Sequence, residues 1–209
     1  MTRIYLVRHG ATQLTAEDRF SGTTGDLSDV GRAQIAGLAE RLRGERIQAL
    51  YASPLSRALD SARILGTAIG LEPELQDGLR EIDHGHWERL THAEVSQRYG
   101  DEYAEWQRDP FGATPSGGES GASVLARAGA AMQDILSRSA GQRVVVVSHK
   151  ATIRLLICEW LGIDPRGYRE RLDQQPACLD VLDFESGASA AAPRARLMLF
   201  NDISHYASG

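Results

Sequence analysis

The chain has 209 residues, 42% of them hydrophobic, and a formal net charge of -5. That composition suits one globular domain over residues 1–209 with a buried core, and its sign excludes a global field for nucleic acid or anionic lipid. Any anion the protein holds must therefore be met by a local cluster of cations.

The two cysteines, Cys158 and Cys178, form no Cys-x-x-Cys pattern and read as reduced, buried thiols. The N-terminal apolar run is too short for a signal peptide, and no stretch approaches the roughly 18 apolar residues of a membrane span. A cytoplasmic protein with no membrane partner is expected. In chain order, Ile4 to Val7 end in Arg8-His9-Gly10, the pattern of a buried strand that stops at a functional edge. Ser28 can cap a helix in which Ile35, Leu38, Ala39 and Leu42 follow the i, i+3, i+4, i+7 spacing. Ala49 to Ala52 predict a second strand, with Ser53 as N-cap and Pro54 as first-turn proline of a helix reaching Ile69. The stretch from Glu88 to Glu119 breaks this rhythm: Thr91 and Glu94 make a capping box, Trp106 and Asp109-Pro110 follow, and Pro115-Ser116-Gly117-Gly118 end it. It reads as a helical insertion over the site. Val144 to Val147 form a β-branched run typical of a strand covered on both faces, and Ser148-His149 lead into a helix carrying Ile153, Leu155, Leu156, Ile157 and Leu161. Leu179 to Phe184 and Arg196 to Phe200 are strand candidates, joined by a small-residue turn over Ser186 to Pro193. The alternation predicts an α/β three-layer sandwich with a mostly parallel central sheet and a small helical cap. Its ligand site belongs at the carboxyl ends of the strands.

Three strand-to-helix junctions carry polar groups: Arg8-His9, Ser53 with Arg57, and His149. A parallel sheet brings such junctions to one edge, where two arginines and two histidines can converge. Guanidinium groups hold phosphate oxygens in a fork, a neutral imidazole can attack phosphorus, and a second, protonated imidazole can stabilise the transferring group. Such cations can oppose the charge of a phosphoryl transition state without a metal or other cofactor. His84, His86 and His92 contain a His-x-His ligand pattern, but pocket-lining roles fit them better, and no metal is expected. Trp87, Trp106 and Trp160 read as packing residues, and Arg166, Arg169 and Arg171 as a solvated helix face.

The segments Leu6-Val7-Arg8-His9-Gly10-Ala11-Thr12, Ser53-Pro54-Leu55-Ser56-Arg57-Ala58, Glu81-Ile82-Asp83-His84-Gly85-His86-Trp87-Glu88 and Val147-Ser148-His149, with Asn201 to His205 near the end, resemble the histidine phosphatase superfamily. Its members include the cofactor-dependent phosphoglycerate mutases. The resemblance implies a nucleophile at His9, phosphoryl binding by Arg8, Arg57 and His149, and a proton donor and later base at Glu81. Thr15, Ser21, Gly22, His84 and Lys150 are the further candidates for substrate contact.

Several positions depart from the family pattern. Thr15 stands where an asparagine is frequent, and the loop Ser21 to Leu27 is shorter. Arg89 replaces the glycine of Trp-Glu-Gly, so its side chain either leaves the pocket or adds a cation. Lys150 and Arg154 add positive charge where relatives carry small residues. The leading expectation is a phosphatase for a small phosphorylated metabolite, with a second copy of the chain as the one macromolecular partner considered. A phosphoglycerate mutase is the alternative, disfavoured by the short cap and tail, and a silent phospholigand-binding protein is the third.

Overall fold

The computed structural model describes residues 1–185 and 194–206. Its strands are β1 (Thr2–Arg8), β2 (Ala49–Ala52), β3 (Glu74–Leu75), β4 (Arg143–Ser148), β5 (Leu179–Phe184) and β6 (Ala195–Asp202). They form one sheet in the order β3-β2-β4-β1-β5-β6. Pairings among the first four are parallel, while β5 runs antiparallel to β1 and β6 antiparallel to β5. The expected turn over Ser186 to Pro193 lies outside the described residues.

Side chains alternate across the central strands. Ile4, Leu6, Val144 and Val146 face a core shared with α6 (Gly121–Arg138) and α7 (Lys150–Leu161). Tyr5, Val7, Val145 and Val147 face the opposite core, against α2 (Asp29–Leu42) and α3 (Ser56–Ile69). This two-sided covering is what a continuous valine run requires. A third apolar cluster joins Phe20 and Trp87 to Val95 of α4 (His92–Arg98) and to Tyr103 and Trp106 of α5 (Gly100–Arg108). Two four-residue helices, α1 (Gln13–Ala16) and α8 (Tyr168–Arg171), flank the same end of the sheet. Among the described residues no helix is long and apolar enough to cross a membrane. Cys158 and Cys178 are free and buried.

Ser28 caps α2 by accepting from the Gly31 amide, and the Thr91/Glu94 capping box starts α4. The expected cap at Ser53 is a correction. Helix α3 begins at Ser56 with Leu55 in the N-cap position and no side-chain cap, because the Ser53 hydroxyl is engaged by the Leu55 amide and by His149. Helix α6 and the two-residue β3 were not anticipated. Ser120 caps α6, but small residues such as Gly121, Ala128 and Ala131 form much of its buried face, which blurs its apolar stripe. Both residues of β3 are exposed, so no alternation marks it.

The register places Arg8 of β1 beside Ser148 of β4. The His9 amide donates to the Ser148 carbonyl at 3.1 Å, and the Ser53 amide to the Val147 carbonyl at 3.0 Å. Three chain segments thus leave the sheet side by side. Gly10 is required there: a Cβ on it would lie 2.4 Å from the Gly31 carbonyl oxygen, where α2 passes against the segment.

Candidate active site

His9 follows the last residue of β1 and is 2% exposed. Its Nδ1 lies 2.7 Å from the Gly10 carbonyl oxygen. An acceptor there assigns the proton to Nδ1 and leaves the lone pair on Nε2. Arg57 points its Nε–H at that Nε2 from 3.1 Å. The same guanidinium donates to the carbonyls of Thr24 at 2.8 Å and Gly22 at 2.6 Å, which fix its plane. Burial, and then the charges of Arg57 and Arg8, hold the His9 pKa well below the ordinary imidazole value. The ring is therefore neutral, the form that can act as a nucleophile.

His149 precedes α7, its ring centroid 5.1 Å from that of His9. Its Nε2 lies 2.7 Å from the Ser53 hydroxyl, while its buried Nδ1 has no hydrogen-bond partner among the described residues. Burial, followed by Arg57, His9 and Arg8, also lowers its pKa well below the usual value. Arg8 donates through one terminal nitrogen to the Gln174 carbonyl, and its buried Nε likewise has no partner. Unpaired buried polar atoms are uncommon because each forfeits its hydration. Two of them, on Arg8 and His149, stand close to the neutral imidazole of His9.

Glu81, 8% exposed, lies in the loop between β3 and α4. Its carboxylate accepts from the amides of Ala151 at 3.3 Å and Thr152 at 3.4 Å, at the start of α7, and from its neighbour Ile82 at 3.0 Å. Two short 3-10 turns, Asp77–Leu79 and Gly85–Trp87, flank Glu81, but the residues between them belong to no strand or helix. Arg127 of α6 fixes this loop, donating to the carbonyls of Gly78, Arg80 and Glu81 and pairing with Glu119 at 2.8 Å. The Ser148 and Thr152 hydroxyls donate to the carbonyls of Leu79 and Arg80.

These groups open onto a cleft of about 430 Å³. Arg8, His9 and Glu81 line it, as do Thr15, Ser21, His84 and Lys150 from the expected substrate contacts. Arg57 and His149 are not among the lining residues but adjoin His9, through the 3.1 Å contact of Arg57 with Nε2 and the 5.1 Å separation of the two rings. Gly22 is a correction: it does not line the cleft but holds Arg57 through its carbonyl, and a Cβ there would meet the Glu88 carboxylate. Arg89 is exposed and points its side chain outside the cleft. Its φ of 69° falls in the left-handed region where glycine is the natural occupant. Arg169, expected on a solvated face, instead lines the cleft and stacks 3.7 Å over the Trp106 ring.

His84 packs edge-on to Phe20 and is pushed down to a pKa of about 3, by burial and then by Arg169 and His92. His92 meets the Tyr103 hydroxyl at 2.9 Å, and His86 is exposed. Among the described residues no group of His, Cys, Asp or Glu is placed to hold a metal. Arg127 and Gln174 escaped the sequence reading altogether. The Gln174 side-chain amide donates to both Asp180 oxygens, at 3.0 and 2.9 Å, and Asp180 also accepts from the Asn201 amide. Burial pushes Asp180 up to a pKa of about 6. No local pattern marks these supports, because their partners are backbone atoms or lie in other elements.

Fold and cleft together define an α/β protein whose sheet edge gathers a neutral, buried histidine and two buried arginines. A family model described as the histidine phosphatase superfamily (branch 1) matches residues 4–193, and the chain belongs to that superfamily of phosphoric monoester hydrolases. The chain is 35% identical over 165 residues to phosphoserine phosphatase 1 of Hydrogenobacter thermophilus, covering 78% of each protein. It is 33% identical over 210 residues to a probable phosphoglycerate mutase of an Enterobacter species, covering 98% of this chain and 95% of the other. A mycobacterial glucosyl-3-phosphoglycerate phosphatase superposes with a TM-score of 0.85 at 28% identity, covering 95% of this chain and 98% of that one. Of three further mycobacterial relatives the chain spans 52% of the length.

Proposed function

We propose that the protein hydrolyses a small-molecule phosphomonoester through a phosphohistidine on His9. The observation that carries this reading is the neutral His9 ring, whose unprotonated Nε2 faces the Arg57 guanidinium and can exchange that hydrogen bond for phosphorus, beside the buried Arg8 Nε and His149 Nδ1 that have no partner among the described residues. In the first step Nε2 attacks phosphorus while the phosphorus–oxygen bond to the leaving group breaks, and Glu81 in its acid form gives that oxygen a proton. Arg8, Arg57 and His149 hold the equatorial oxygens, where charge accumulates. In the second step water attacks phosphorus, its proton passes to the Glu81 carboxylate, and the nitrogen–phosphorus bond breaks to release inorganic phosphate. Three cationic or proton-bearing side chains thus supply the charge stabilisation a metal would otherwise give. Turnover is expected to survive EDTA.

Two relatives carry phosphatase names and one a mutase name, so the identity of the acceptor decides between the readings. A mutase must shield its phosphoimidazole from water. Here Glu81 and His9 both line an open cleft that water can enter. Incubation with 3-phosphoglycerate and catalytic 2,3-bisphosphoglycerate is expected to give inorganic phosphate or no reaction. Interconversion of phosphoglycerates more than about a hundredfold faster than phosphate release, equivalent to about 2.7 kcal/mol between the transition states, replaces the hydrolase reading with the mutase one.

A further inference from the structure

Asp180 is a buried acid that the proposed chemistry does not use. It lies in β5 opposite Leu6 of β1, is wholly buried, and forms no ion pair among the described residues. A carboxylate held away from water without a cation is costly, and a core-facing strand position is better filled by an apolar residue. The sheet accounts for only part of its presence. The β5–β6 ladder shifts register between Leu179 and Val181, and there the Asp180 Oδ1 accepts from the Asn201 amide at 2.8 Å. Both carboxylate oxygens also meet Gln174, whose Nε2 donates to them at 3.0 and 2.9 Å. The Cys178 thiol donates to the Oε1 of the same amide at 2.7 Å, so the amide has one way round to lie. Gln174 is itself wholly buried.

On its main-chain side Gln174 meets Arg8. Its carbonyl accepts from the Arg8 guanidinium, the single hydrogen bond that the Arg8 side chain makes among the described residues. Arg57, by contrast, is held by the carbonyls of both Gly22 and Thr24 and by His9. The direction of the Arg8 fork therefore depends on one carbonyl, in a segment from Leu172 to Cys178 that belongs to no strand or helix. Other ties of this segment act on Gln175, through the Asn201 side chain, and on Ala177, through the His9 carbonyl. Gln174 has its neighbour Asp173 at the amide and Asp180 at the side chain.

We infer that Asp180 is a positioning residue, which through the Gln174 side chain sets the carbonyl that aims Arg8 at the phosphoryl group. A guanidinium binds phosphate by direction as well as by charge, so an Arg8 free to turn holds phosphate less tightly although its charge is intact. The inference rests on the proposed function only in taking Arg8 as a phosphoryl ligand. Asp180 does not line the cleft, so replacing it removes no direct contact with a ligand.

Calorimetric binding of inorganic phosphate to the full chain tests this, in a double-mutant cycle of Asp180→Leu and Arg8→Ala. Asp180→Leu is expected to weaken phosphate binding about tenfold, the scale of one charge-assisted hydrogen bond. In a chain already carrying Arg8→Ala it is expected to change the affinity less than about twofold, because no guanidinium is left to aim. Gln174→Met keeps the main-chain carbonyl but drops the link to Asp180, and in the same cycle it should reproduce the result; it decides alone if circular dichroism shows that Asp180→Leu does not fold. A carboxylate that serves only the fold shifts the urea midpoint and leaves phosphate affinity the same, or lowers it equally with and without Arg8. Either of those outcomes overturns the positioning role. The two readings fail differently: loss of binding with Arg8→Ala but not with Asp180→Leu sinks this inference alone, whereas unchanged binding with Arg8→Ala removes Arg8 from the proposed phosphoryl site and the inference with it.

Discussion

The two halves of the cleft are built on different terms. At the sheet edge, His9, Arg57 and His149 are almost wholly buried, and each is fixed by backbone groups or a neighbouring side chain. Across the cleft, Lys150 and Arg169 are half-exposed and have aromatic rings or open space for company. The first half can hold only a small, defined group, because nothing there can move without displacing main chain. The second tolerates ligands of different length, since flexible basic side chains follow a charge over some distance. In this division the reaction geometry is rigid and recognition is adaptable.

The largest expected effect breaks the rigid half. His9→Ala should lower phosphate release by at least about 10⁴-fold, as removal of a nucleophile does. Rapid-quench labelling of the unmodified chain should give an acid-labile, base-stable adduct on the peptide containing His9. A label on serine, aspartate or another histidine would show that the rigid half does something else.

Glu81→Gln, at the boundary between the halves, should cost roughly 10²- to 10⁴-fold in kcat. The loss should shrink for 4-nitrophenyl phosphate, whose leaving oxygen hardly needs a proton. Equal impairment of the phosphorylation step with every leaving group moves the acid elsewhere, with Asp83 and Glu88 as the next candidates.

A smaller effect separates the halves by pH. His9 and His149 have folded pKa values well below the 6.5 of an unperturbed imidazole. Below about pH 6.5 the unfolded chain takes up protons that the fold refuses. Their stabilisation is therefore complete above that pH and lost as pH falls, by up to about 1.4 kcal/mol per pH unit for each ring. Asp180, raised to about 6, acts in the opposite sense, favouring the fold below the carboxylate range and less so as pH rises through 6. His84, held down at about 3, adds a third ring in the same sense, so the rings outweigh the one carboxyl and urea midpoints should drop as pH is lowered from 7 to 5. A flat profile would mean that the rigid half holds charged imidazoles.

The smallest change is Gly10→Ala, expected to cost about 1–3 kcal/mol by overpacking against Gly31. Because the clash sits next to His9, activity should fall further than stability predicts. An alanine accepted without loss would mean that the rigid half has slack.

The same division governs what the sequence discloses. Strand ends that feed directly into polar residues are local patterns, so Arg8-His9, Val147-Ser148-His149 and the valine run of β4 announce both the sheet and its functional edge. Glu81 sits in a loop whose shape is imposed by Arg127, Ser148 and Thr152 from other elements, and only its resemblance to a family motif singled it out. Ser53 was legible as a polar junction residue but misread as a helix cap, since nothing local shows that His149 takes its hydroxyl. Arg169 was illegible for a related reason. Its neighbours Arg166 and Arg171 are exposed, and only the position of Trp106, more than sixty residues earlier, turns it inward.

Arg127 is the one side chain that binds three carbonyls of the loop of Glu81 among the described residues, and it shares the task of holding that loop with Ser148 and Thr152. It works as one of several pins in a hinge: without it the loop stays attached through Ser148 and Thr152 but swings more freely. None of the sheet contacts around His9 passes through it. On the proposed mechanism, replacing Arg127 is expected to slow the water step more than phosphoryl uptake from an easily displaced leaving group, leaving a folded protein that holds the phosphoryl group for longer.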